Sequence, residues 1–250
     1  MNLKTSILYQ TKESKKAVMI FYLVVVLVIA FFAITIQLNE PSNFESTGGI
    51  EMSSMIFLFV VGLNAFKETF LMLMQNGVSR KTMFVSRIAS FGILCTLMAI
   101  IDRIIVSILL PFSKQSSKIN ISGMYEQMYA DRAAEVNAFQ QNLEGILLPI
   151  FMYIASIAIG YFITVAYYRM SKPGKVAVSV GLPVSIFFII PVVDTTITNG
   201  WINRNLVKAI SFMFGFKYDN PYYAIISCII GACLFFGLSW LLMRRAIDKN

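Results

Sequence analysis

Two groups of residues in this chain have the types and spacing to do chemistry or to hold a partner. The first is three ionisable side chains inside apolar runs, Asp102, Arg103 and Asp194. A charge in hydrocarbon costs about 2.5 to 3.5 kcal/mol, so such residues are kept for a function or a partner. Adjacent on a helix, Asp102 and Arg103 point in different directions and do not neutralise one another across one face. Arg103 is expected either to pair with Asp194 or a second subunit, or to snorkel to the outer headgroups. The second group is the stretch FLMLMQNGVSRKTMF, residues 70 to 84, where an Asn-Gly pair and a Ser-Arg-Lys triplet interrupt apolar sequence.

Several chemistries are excluded by residue type. The chain has no histidine, which removes a Ser-His-Asp triad, a Cys-His pair and a His-Glu-x-x-His zinc site. It has no Gly-x-x-x-x-Gly-Lys-Ser/Thr loop to cradle ATP, so no catalytic site, metal or cofactor is expected in this chain. Cys95, Cys228 and Cys233 all fall in apolar runs and outline no disulfide framework. No inverted repeat is visible, which disfavours a secondary transporter.

The elements that must position these residues are membrane helices. Of 250 residues, 57% are hydrophobic and 14% charged, with a mean hydropathy of +0.71, a balance unsuited to a water-soluble surface. The expected fold is an all-α integral membrane protein, one transmembrane domain over 1–250. Six transmembrane helices are expected at about 17–38, 50–67, 84–112, 145–168, 176–198 and 221–243, since a crossing needs about 20 apolar residues. With both termini cytoplasmic, the inner segments hold 14 of the 21 basic residues, as the positive-inside pattern requires. The first outer loop, LNEPSNFESTGGIE, has three Glu and no Lys or Arg. The net charge of +8 is thus a matter of topology and points to no nucleic acid.

Three amphipathic pieces lie between or before the spans. At the N-terminus, Leu3 and Ile7 face one way and Lys4, Lys12, Lys15 and Lys16 supply charge, predicting an in-plane helix at the inner leaflet. In the long outer segment 113–144, Tyr125, Tyr129, Val136, Phe139 and Leu143 recur at helical spacing, predicting an amphipathic helix on the outer surface or packed over the bundle, the alternative being a solvated loop with one helical turn. The stretch 197–221 gathers Trp201, Phe212, Phe214, Phe216, Tyr218, Tyr222 and Tyr223 beside Arg204 and Lys208, predicting a re-entrant segment broken at Gly200 and Gly215 or a plain aromatic belt. Pro149, Pro183 and Pro191 fall within spans four and five, where each removes a backbone bond and permits a bend.

The elbow follows from the same rules. The second helix is expected to run on through Lys67, Glu68 and FLMLM to Asn76-Gly77, which tolerate the left-handed conformation that closes a helix, and Ser79 is placed to cap the next. A short amphipathic helix then lies at the cytoplasmic face, with Arg80 and Lys81 on the turn back into the membrane.

This order resembles the type 2 ABC transporter permeases: a basic in-plane N-terminus, six spans with both ends inside, a surface helix ending in a Gly-x-Ser-Arg-Lys elbow, and re-entrant segments before the last span. The likeness covers nearly the whole chain by topology but only KETFLMLMQNGVSRKTMF by motif, and the long 113–144 segment departs from the shortest members. It implies a coupling helix, here Lys67, Glu68, Phe70, Leu71, Met74, Asn76, Gly77, Ser79, Arg80 and Lys81, that docks on a separate ATPase. It implies re-entrant outer helices around Trp201, Arg204, Phe212 and Phe216. The partners implied are two ABC ATPase subunits that bind ATP and Mg, a second permease subunit (a copy or a close paralogue), and membrane lipids. Small permeases of this kind resemble exporters of bacteriocins or membrane-active peptide toxins in the bacterial cytoplasmic membrane. Drug or lipid export, self-immunity, and a non-transporting sensor or scaffold are the alternatives. The Lys, Asn, Ile and Phe usage fits a low-GC bacterium.

Overall fold

The structure is a computed structural model that describes residues 3–38, 49–115 and 122–244. Most of the first outer loop, residues 116–121 of the long outer segment 113–144 and the tail carrying Arg245 and Lys249 lie outside them. Helices dominate and no strand occurs among the described residues.

Helix α1 runs unbroken from Leu3 to Leu38. A separate in-plane helix was expected, but no Gly or Pro stands between these limits to break or bend the chain. Its first turns lie along α4 (Arg80–Gln115). The residues buried there are Ser6 and Gln10, whereas Leu3 is exposed. Ser6 shares a hydrogen bond with Ser86 at 2.9 Å, Thr11 with Ser90 at 3.1 Å, and Tyr22 donates to Asp102 at 2.9 Å. These pairs are separated by 79 or 80 positions throughout, so α1 and α4 are parallel and in register.

Helix α2 (Gly49–Asn64) ends early, and after a break at Ala65–Phe66 the chain turns by 43° into α3 (Lys67–Gln75). The continuous helix expected through this region is therefore bent. At about 1.5 Å per residue α2 is about 24 Å long, short of the roughly 30 Å hydrocarbon core. Counted with α3, it makes a sixth helix long and apolar enough to cross a membrane, beside α1, α4, the 172–196 stretch and two more described next.

Helix α7 (Ala138–Arg169) is central and packs against α2, α4 and α11 (Pro221–Arg244). It meets α2 at two glycines. A Cβ on Gly160 would lie 2.3 Å from the Phe59 carbonyl oxygen, and one on Gly62 2.5 Å from that of Ile157. Only residues without side chains allow the backbones this approach, the device by which membrane helices gain packing where lipid gives no hydrophobic drive. Around the crossing, Phe66, Phe91, Tyr161 and Phe236 form an aromatic core.

Between α7 and α11 the chain makes α8 (Lys172–Val184), a wide π-type turn over Ser185–Ile189, α9 (Ile190–Thr196) and α10 (Trp201–Met213). The π turn falls between Pro183 and Pro191, where missing amide donors loosen the ladder. Apart from Asp194, no residue of 172–196 is buried by the rest of the chain. Gly200 and Gly215, at the two ends of α10, have φ of +78° and +66°, the left-handed conformation a breaking glycine supplies.

The segment before α7 is not one amphipathic helix. It forms α5 (Met124–Met128) and α6 (Ala130–Glu135), separated at Tyr129, with a second break at Val136–Asn137. Tyr125 and Tyr129 are wholly buried while Phe139 is 79% exposed, so the helical spacing of these residues does not place them on one face. Of the two placements expected, the chain takes the one over the bundle.

Candidate functional site

Contacts sort the ionisable residues to two ends. The start of α1, α3, the start of α4, the end of α7, the start of α8 and the end of α11 meet through Ser6–Ser86, Phe70–Tyr168, Arg80–Arg244 and Tyr167–Ser179. Among the described residues these segments carry Lys4, Lys12, Lys15, Lys16, Lys67, Arg80, Lys81, Arg87, Arg169, Lys172, Lys175 and Arg244 against Glu13 and Glu68. This is the basic end.

Helix α3 lies there. Phe70 and Leu73 are buried, and Phe70 stacks on Phe66 with ring centroids 4.8 Å apart. The apolar side of α3 is thus turned into the chain's own core, with Leu71 and Met74 half-buried at its margin. Lys67, Glu68, Gln75, Asn76, Gly77, Ser79 and Lys81 stay exposed. The helix closes as its residues dictate: Gly77 has φ of +68° and donates to Met74, and Val78 donates to Leu73. Ser79 caps α4 by accepting from the Thr82 amide at 3.2 Å. Arg80 is half-buried and donates to the Arg244 carbonyl at 2.7 Å, which fastens the elbow to the end of α11.

Sequence reasoning missed the joint beneath this helix. Glu13 of α1 accepts from the Thr69 hydroxyl and stands 3.5 Å from Arg87, whose side chain is buried over the Phe91 ring. One carboxylate therefore links α1, α3 and α4. The only local signal for it is Glu13 being the sole acid among four lysines.

At the opposite end, Asp102 and Arg103 face different surroundings. Asp102, fully buried, accepts from Tyr22 at 2.9 Å and from Tyr153 of α7 at 2.6 Å. Arg103 pairs with Glu126 of α5 at 2.6 Å, and its other nitrogens donate to Asn142 at 3.1 and 3.0 Å. It lies against Gly145, where a Cβ would be 2.8 Å from the guanidinium carbon. Neither snorkelling nor an Arg103–Asp194 pair is what the chain forms. Asp194 is instead occupied at the start of α10, accepting from the Thr198 hydroxyl at 2.6 Å and from the amides of Ile202 and Asn203 at 2.8 and 3.1 Å. Free amides at a helix start are a carboxylate's natural partners.

Glu51, expected in the first outer loop, is buried in the first turn of α2, where it accepts from the amide of Met124. Glu144 is the best satisfied acid: it accepts from Arg132 at 2.9 and 2.6 Å, Tyr125 at 2.7 Å, Gln140 at 2.9 Å and Tyr222 at 3.0 Å. The hydrogen bonds to Glu144 hold the Arg132 guanidinium above its ordinary value, and burial, then the Glu144 carboxylate, push the Tyr125 phenol up. Tyr129 donates to the Phe214 carbonyl and the Arg132 amide to Asp219, tying the cap of α5 and α6 to the turn after α10. In that re-entrant stretch, Trp201 and Phe212 are exposed, Phe212 meets Tyr223 edge-on, Phe216 packs on Tyr129, and Arg204 folds back on the carbonyls of Asn199 and Gly200.

No group of three or more acidic or cysteine side chains stands close enough to hold a metal among the described residues. No family model, no curated protein and no solved structure matches the chain. Fold and site together define an all-helical, membrane-embedded protein with a basic end carrying a bent surface helix and an opposite end closed by a polar cap.

Proposed function

We propose that this chain is the permease subunit of an ATP-driven exporter of the type 2 ABC kind, with the basic end cytoplasmic and six crossings, the second being the bent α2–α3 pair. The observation that carries this reading is α3 with the elbow after it: a short helix turned 43° from the span before it and clamped to the bundle by its apolar side, presenting Lys67, Glu68 and Gln75 outward, followed by exposed Asn76, Ser79 and Lys81. A helix held so firmly transmits a push instead of absorbing it, because packed interiors move as units. A partner ATPase that closes on ATP and Mg would supply that push, through the exposed polar face and not through Phe70 or Leu73. Two ATPases and a second permease chain complete the assembly, with the pathway between permeases. The apolar spans and the aromatic rim at Trp201, Phe212 and Phe216 suit a membrane-active peptide as cargo.

The test is co-expression with the product of the neighbouring reading frame. That protein should carry a Walker loop, copurify with this chain, and lose the association when Glu68→Arg and Lys81→Glu are combined. A neighbour with no phosphate loop, or one that does not bind, overturns the reading.

A further inference from the structure

Among the described residues opposite the basic end, three acids, Glu51, Asp102 and Glu126, lie around a single arginine, Arg103. The charged groups facing Glu51 are Glu126 from α5 and Asp102 and Arg103 from α4, with the Tyr153 phenol of α7 beside them. Arg103 is spent on Glu126 at 2.6 Å. Asp102 has a phenol on each oxygen, Tyr22 and Tyr153, which offset the burial of its carboxylate. Among the described residues, Glu51 has no cation of its own. It is 1% exposed, and a second uncompensated carboxylate here would cost several kcal/mol.

Its hydrogen bonds agree. One oxygen accepts from the Met124 amide, while the other, Oε1, is buried with no partner. Ser54, one turn further along α2 and so on the same face, is wholly buried, and its hydroxyl stands beside Asp102, Tyr22 and Tyr153 without a full hydrogen bond to any of them. Buried polar atoms left unpaired need an explanation, and a neutral carboxyl gives one. Protonation removes the excess charge and turns Oε1 from an idle acceptor into a donor, with the Ser54 hydroxyl one turn away on the same helix face.

We infer that Glu51 is a proton-binding site, held as a neutral carboxyl whose Oε1–H donates to Ser54 while Oε2 holds the first amide of α5. The cap is thereby docked on a protonated group, and releasing the proton would leave a bare charge at the point where α5 is fastened.

Infrared spectroscopy of the purified full chain at neutral pH tests this, because a protonated carboxyl has a carbonyl band, displaced in heavy water, that ionised carboxylates lack. One such band is expected, lost in Glu51→Gln and kept in Glu126→Gln and Asp102→Asn. Absence of the band in the unaltered protein, or its survival in Glu51→Gln, overturns the inference. Should Glu51→Gln fail to fold, Ser54→Ala decides: the band is expected to move to the frequency of a carboxyl without an acceptor, and an unmoved band places the proton elsewhere.

Discussion

Glu13 accepts a hydrogen bond from the Thr69 hydroxyl at 3.0 Å across 56 positions of sequence. If α3 receives a push, this bond passes it to α1. Thr69→Val keeps the shape and deletes the donor, and a hydrogen bond to a charged acceptor is worth about 1.5 to 3 kcal/mol. In the reconstituted complex, cargo moved per ATP hydrolysed is expected to fall about tenfold while basal hydrolysis stays near that of the unaltered protein and the melting temperature drops by only a few degrees, and Thr69→Ser is expected to restore both. An unchanged transport-to-hydrolysis ratio in Thr69→Val would sink the coupling role.

Arg132 clamps a fully buried carboxylate from a half-buried position, with side-chain exposures of 23% for Arg132 and 0% for Glu144. Removing one partner of a buried pair costs about 3 to 5 kcal/mol, and the partial exposure of Arg132 sets the expectation at the lower figure. Arg132→Ala should therefore destabilise the protein by about 3 kcal/mol in thermal unfolding in detergent. Tyr222→Phe, which removes one neutral donor among several, should cost about 1 kcal/mol.

The Tyr125 phenol has its proton held more tightly in the folded chain than in the unfolded one. Its contribution to stability is thus fully present below the ordinary tyrosine value of about 10 and is lost as pH rises beyond it. Stability measured across that alkaline range should fall, and the fall should be shallower in Tyr125→Phe. Equal slopes in the two proteins would show that Tyr125 does not titrate with unfolding.

Helix and break positions were legible where residue type alone decides. Gly77, Gly200 and Gly215 adopt positive φ because few other residues do so without strain, and no neighbour is needed to say so. Ser79 caps α4 for a similarly local reason. The partners of buried charges were not legible. Glu51 sits in the string Gly-Gly-Ile-Glu-Met-Ser-Ser, which nothing local marks as interior. It is buried by a segment some seventy positions away, and such distance erases the signal. Asp102 and Arg103 were recognisable as ionisable residues within a span, but their partners Tyr22, Tyr153 and Glu126 come from three other elements. The change of composition near Ala17 mimics a boundary in α1, yet composition does not bend a helix.

The register of α1 against α4 has a mechanical consequence. Ser6–Ser86, Thr11–Ser90 and Tyr22–Asp102 would all have to break together for either helix to slip by one turn, about 5.4 Å, past the other. Two unbroken rods fastened at matching rungs resist shear and tilt as one plank. If α3 is pushed as proposed, a displacement delivered to Glu13 would be carried along this plank to Tyr22, and so to the carboxylate of Asp102, towards the opposite end of the bundle.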